Sequence, residues 1–215
     1  MKAEEQTLFI SSVKNSYMIV CIPKNASTWL GSTLKVKGQI TKSFNIHNKV
    51  CILRDPIERW LSGVAQYLSS GPGQRTRNKA QVLDFFISAK EGVTSTGLQV
   101  KAVGPNGSEG LDNHTVPQNR FVTKFISKSD ESSTTWFYLD DQFTENFFTW
   151  TSNNKITIPR KYETKMNVSE RNPIKSDLVK YYRDLLNQYS FLKNKIKYFY
   201  QEDFDLIERV NFYGK

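Results

Sequence analysis

Residues 17–29 read Tyr17-Met18-Ile19-Val20-Cys21-Ile22-Pro23-Lys24-Asn25-Ala26-Ser27-Thr28-Trp29, and this stretch decides the fold class. Its first six residues are apolar, with the composition of a strand buried on both faces. Pro23 stops the strand. From Ser27 to Val36 the spacing turns helical, with Trp29, Leu30, Thr33 and Leu34 repeating on one side. A strand that enters a helix through a short polar turn aims backbone N–H groups beyond the strand end, where an anion can sit.

The same grammar recurs downstream. Val50-Cys51-Ile52-Leu53 is a second apolar run and ends at Arg54. Asp55-Pro56 then supplies an N-cap and a first-position proline for a helix predicted to reach Leu68, with Ile57, Trp60, Leu61, Val64 and Leu68 as its apolar stripe. A third strand is predicted over Thr135 to Leu139, with a helix near Phe143 to Trp150. Repeated strand–turn–helix units predict an α/β fold, a P-loop-like central parallel sheet flanked by helices. Ala80 to Lys90 and Ser176 to Tyr189 read as helices, and Phe191 to Ile207 continues in helical pieces. Ser69 to Lys79 and Pro159 to Pro173 read as loops. Residues 91–117 hold five glycines and two prolines and read as a flexible, glycine-rich loop. No linker interrupts the pattern, so residues 1–215 are expected to form a single domain.

Composition narrows the partners. The 215 residues carry 13% aromatics and 38% hydrophobics, enough for a packed core. A net charge of +9 draws the chain to polyanions: nucleotide phosphates, acidic glycans or nucleic acid. Cys21 and Cys51 each lie in a strand-like run and fit buried free thiols of a reducing compartment. No His/Cys spacing suggests zinc, so no metal is expected. The apolar runs are too short for a membrane span, and MKAEEQ opens without a secretory pattern, so a cytoplasmic protein is expected.

At the first junction, Ser27 and Thr28 can donate hydroxyl hydrogen bonds to phosphate oxygens, and Lys24 can neutralise charge on a leaving phosphate. The string lacks the G-x-x-x-x-G-K-[ST] pattern of nucleotide kinases and ATPases. At the second, Arg54 leaves the carboxyl edge of its strand, and Ser62 lies two turns into the next helix, on a polar face with Glu58, Arg59 and Gln66. Gly63 permits a close approach there.

Lys24 to Trp29 after Pro23 resembles the 5′-phosphosulfate loop of sulfotransferases, P-K-x-x-[ST]-T-W, with Ala26 where cytosolic members carry glycine. Arg54-Asp55-Pro56 with Ser62 eight residues after the arginine resembles their 3′-phosphate signature. Asp112-Asn113-His114-Thr115-Val116-Pro117-Gln118 is similar to the D-x-H-x-x-P-Q element of the carbohydrate branch. Ile158-Pro159 with Asn167-Val168-Ser169, and Tyr200 to Leu206 as Y-x-x-D-F-x-L, resemble two further segments of that branch. The glycine-rich acceptor region does not align, and the anchor of Golgi members has no counterpart.

The resemblance implies a sulfotransferase fold and transfer of a sulfuryl group from 3′-phosphoadenosine-5′-phosphosulfate (PAPS) to an acceptor hydroxyl on a carbohydrate or small metabolite. Adenosine 3′,5′-bisphosphate (PAP) would be the product, with no metal. It implies that Lys24, Asn25, Ala26, Ser27, Thr28 and Trp29 hold the phosphosulfate, with Trp29 near the adenine. Arg54 and Ser62 would bind the 3′-phosphate, with Arg59 structural, tying its helix to the sheet. Lys24 would be catalytic. The transfer also needs a base at the acceptor oxygen. His114 is the favoured residue; Asp112 is the fallback, and His47 is set at the wrong end of its strand. Asn25-Ala26-Ser27 matches a glycosylation pattern, but a glycan there would block the loop. Two other readings stay open: a nucleotide kinase-like phosphotransferase, and a non-catalytic binder of polyanions or nucleic acid.

Overall fold

The structure, a computed structural model, describes residues 7–11, 16–34, 48–70, 76–93, 99–156 and 172–215. In chain order the strands are β1 (Thr7–Ser11), β2 (Ser16–Val20), β3 (Asn48–Leu53), β4 (Lys90–Val93), β5 (Gln99–Val103) and β6 (Thr135–Tyr138). The α-helices are α1 (Ser27–Leu34), α2 (Pro56–Ser69), α3 (Lys79–Ile87), α4 (Gln118–Phe125), α5 (Phe143–Asn153), α6 (Pro173–Gln188), α7 (Ser190–Phe199) and α8 (Gln201–Arg209). The chain divides into two compact units. One draws on 1–54, 118–166 and 207–215, the other on 55–117 and 167–206.

The first unit is an α/β layer. Its sheet runs β1-β2-β3-β6. β2, β3 and β6 are parallel, with Val20 opposite Cys51 and Cys51 opposite Trp136. β1 adds an antiparallel edge to β2, which the sequence reading did not include. Strand alternation sends Tyr17, Ile19 and Cys21, Val50 and Ile52, and Phe137 into one core. Trp29 and Leu30 of α1 and Phe143, Phe147 and Trp150 of α5 complete it. Each large apolar side chain so buried stabilises the fold by about 1.5–3 kcal/mol. Phe212 bridges in parallel to Trp136, and the Tyr213 amide donates to the Trp136 carbonyl at 2.8 Å.

The second unit is mainly helical. Asp55 caps α2 by accepting from the Glu58 amide at 2.9 Å, and Pro56 fills the first turn. Trp60, Leu61 and Val64 of α2 pack with Val82 and Phe86 of α3, Tyr182 and Leu186 of α6, and Ile196 and Phe199 of α7. At the far end of α2, the Arg77 guanidinium donates to the carbonyls of Tyr67 and Ser70 at 2.5 and 3.0 Å, satisfying acceptors the helix leaves open.

The glycine-rich stretch 91–117 is not one loop. β4 pairs antiparallel with β5, Pro105–Gly107 forms a 3-10 turn, and Asp112 to Thr115 closes a hydrogen-bonded turn. Gly104 serves packing: a Cβ there would stand 2.1 Å from the Phe85 ring. Residues 157–171, which hold most of the predicted 159–173 loop and the Ile158 to Ser169 motif, lie outside the described residues. Among the described residues, no helix is long and apolar enough to cross a membrane.

Candidate functional site

In the first unit, the turn after β2 and the exit of β3 at Arg54 lie at the carboxyl ends of neighbouring parallel strands. The turn after β2 is held in an unusual backbone shape. Lys24 and Ala26 both take positive φ, 70° and 61°, around Asn25. A non-glycine residue there carries strain of about 1–3 kcal/mol. The Asn25 amide closes the turn onto the Ile22 carbonyl at 3.0 Å, and Leu30 donates to Ala26 at 2.9 Å to start α1. Among the described residues, the amides of Ala26, Ser27 and Thr28 meet no acceptor. Such a turn, opening a helix, forms a concave set of donors suited to an anion. Ser27 is half-buried and Thr28 is exposed.

Asn25 faces the other way. Its side chain is 1% exposed, and its Nδ2 donates to the Ile52 carbonyl at 2.8 Å and to Gln118 Oε1 at 2.7 Å. The same Gln118 oxygen accepts from the Arg54 amide at 3.2 Å, while Gln118 Nε2 donates to the Arg54 carbonyl at 2.8 Å. Gln118 opens α4 and is itself fully buried. One amide side chain therefore locks the turn after β2 to the exit of β3. The Arg54 guanidinium completes the link by donating from Nη1 to the Lys24 carbonyl at 3.3 Å.

Trp29, which the resemblance sets beside an adenine, is a core side chain here. It meets Phe143, Phe147 and Phe148 edge-on at 5.6, 5.6 and 5.9 Å.

The second unit holds Ser62 and His114. Glu58, Ser62 and Gln66 follow one another along a face of α2. At both ends that face is gripped by α6: Arg183 chelates Glu58 at 2.5 and 2.9 Å, and Lys175 donates to Gln66 at 2.6 Å. Ser62 sits half-buried between these pairs. Next to it, Gly63 has the His114 backbone lying on it. A Cβ at Gly63 would stand 2.4 Å from the His114 carbonyl oxygen, so the missing side chain is what lets the 112–115 turn rest on α2. The His114 amide donates to Asp112 Oδ1 at 2.9 Å, and its Nδ1 lies 3.0 Å from Asp112 Oδ2. The carboxylate thus fixes the imidazole and leaves Nε2 to act.

Arg59 departs from expectation once: it is fully buried rather than on the polar face. It ties α2 to the Val116 backbone, donating to that carbonyl at 2.6 Å. Burial pulls its guanidinium below the usual range, against the opposing fields of Tyr200, Asp203 and Asp112. The Tyr200 hydroxyl donates to the Thr115 carbonyl at 2.5 Å, and burial pushes it well above a normal phenol. Tyr200, the first fixed letter of the C-terminal signature, therefore braces the segment that presents His114, and Asp203, the second, is fully buried.

The structure thus gathers Lys24 to Thr28 with Arg54 in the first unit, and Ser62 with His114 in the second. His47 lies outside the described residues. Gln118, Tyr200 and Asp203 have no assigned role in the sequence reading; only their places in the quoted motifs signalled them. No family model matches the chain, and neither a curated protein nor a solved structure matches it.

Proposed function

We propose that the chain is a sulfotransferase of the carbohydrate-like type, with a sulfotransferase fold, working in a reducing cytoplasmic setting on a hydroxyl-bearing acceptor such as a sugar or small metabolite. The observation that supports this reading is the Arg54 guanidinium on the Lys24 carbonyl at 3.3 Å, which links the turn after β2 to the exit of β3. The donor set fits PAPS: open amides, two hydroxyls, a lysine and an arginine suit phosphate and sulfate oxygens. When bound, PAPS supplies the sulfuryl group and a stable bisphosphate leaving group.

The chain's own residues do the rest. The amides of Ala26 to Thr28 and the hydroxyls of Ser27 and Thr28 orient the 5′ end. Lys24 neutralises charge that builds on the bridging oxygen, the kind of aimed electrostatic help whose loss costs about 3 kcal/mol. Arg54 binds the 3′-phosphate; the resemblance assigns Ser62 to the same ligand. His114 Nε2, with Asp112 on the opposite ring nitrogen, takes the proton of the acceptor hydroxyl.

Calorimetric titration with PAP, followed by transfer assays with labelled donor, tests the reading. Arg54→Ala is expected to weaken PAP binding by about 2 kcal/mol or more. Lys24→Ala is expected to keep most binding and lose about a hundredfold in rate, and His114→Ala to bind normally and turn over slowly. Turnover that requires magnesium and a nucleoside triphosphate would instead favour a phosphotransferase. Absence of PAP binding sinks the proposal.

A further inference from the structure

The helical unit contains a groove that the sulfotransferase reading does not use. Its volume is about 340 Å³, within the range of small-molecule sites. Ile57 and Leu61 of α2, Leu186 of α6 and Phe204 of α8 give it apolar walls. Its charged lining is unbalanced. Asp55 is occupied in capping α2, and Glu58 is chelated by Arg183. Lys193 and Lys197, one helical turn apart on α7, also line the groove. Among the described residues, neither has a carboxylate partner. Two ammonium groups on the same helical face repel each other, and here they do so beside apolar surface. An anion between them removes that repulsion, and its apolar body covers the walls.

We infer that this groove binds an amphiphilic anion: a ring or short chain of apolar carbon carrying one sulfate, sulfonate, carboxylate or phosphate head. Lys193 and Lys197 grip the head, and Ile57, Leu61, Leu186 and Phe204 hold the body. The site stands without the sulfotransferase proposal, because it shares no residue with the nucleotide cradle.

Calorimetry with naphthalene-2-sulfonate against the neutral naphthalene-2-sulfonamide tests it on the full chain. The sulfonate is expected to bind one to one and at least about tenfold tighter than the sulfonamide. Replacing both lysines, Lys193→Gln with Lys197→Gln, is expected to raise Kd at least about tenfold; both are exposed, and circular dichroism checks that the variant folds. Lys195→Gln, whose side chain points toward Phe191 at 5.9 Å, is expected to change nothing. Equal binding of the two probes, an unaffected double variant, or no saturable binding at millimolar sulfonate overturns the inference. Loss of sulfonate binding in Arg54→Ala, or its displacement by PAP, places the probe in the nucleotide cradle. That result overturns the groove and leaves the sulfotransferase proposal standing.

Discussion

Asn25 Nδ2 donates to Gln118 Oε1 at 2.7 Å across 93 residues of chain, deep in the first unit. Both side chains are buried, and together they tie the turn after β2 to the exit of β3. Gln118→Ala should remove the bonds to Asn25 and to both backbone groups of Arg54 and destabilise the fold by about 2 kcal/mol. PAP affinity should fall with it. Gln118→Glu keeps an acceptor for Asn25 but loses the donor to the Arg54 carbonyl, and should bind PAP more weakly than it unfolds. Urea melts and calorimetry of the two variants separate the effects.

Ala26 holds φ 61° with a side chain, which costs about 1–2 kcal/mol. Ala26→Gly relieves that strain and adds some freedom to the unfolded chain. A net gain of about 0.5–1 kcal/mol is expected in the urea midpoint, with PAP binding retained. A loss of stability would show that the methyl group packs usefully and that the strain is small.

Gly63→Ala places a methyl where the His114 carbonyl lies. Backbone cannot rotate away as a side chain can, so the 112–115 turn must shift. Overpacking of this kind costs about 1–3 kcal/mol, offset by about 1 kcal/mol of helix propensity. A net loss near 1 kcal/mol is expected, with a larger loss of transfer rate than of PAP affinity. Thermal melts and single-turnover assays read the two arms.

β2, β3, β6, α1 and α2 were legible because their signals are local. Buried runs of branched and aromatic residues mark β2, β3 and β6, and Asp55-Pro56 marks the start of α2. β4 and β5 were hidden because glycine was read as flexibility, whereas Gly104 makes room for the Phe85 ring. The positions of Lys24 and Arg54 followed from strand ends, but Gln118 and Arg59 did not. Their roles depend on partners 64 and 57 residues away, which no spacing rule reaches.

Asp130 supplies the acid response. Hydrogen bonds from Lys49 at 2.7 Å and from Ser127 hold its carboxyl below the usual 3.8, at about 2. A carboxylate whose folded pKa is depressed favours folding above its unfolded value, and that contribution disappears as protons return. Stability should therefore decline as pH falls from about 4 to about 2. Asp130→Asn should flatten this part of the curve. An unchanged acid slope in that variant would assign the response to other carboxylates.

The first unit is discontinuous in the chain, and Phe212 and Tyr213 complete it beside β6. This fixes an order of assembly. During synthesis the strands β1, β2 and β3 are made first, yet the residues that seal the edge at Trp136 follow the entire helical unit. The nascent sheet must wait for them with that edge uncovered, exposed to chaperones or to a neighbouring chain. A refolding experiment that supplies residues 207–215 as a separate peptide would reveal whether this final closure limits the rate.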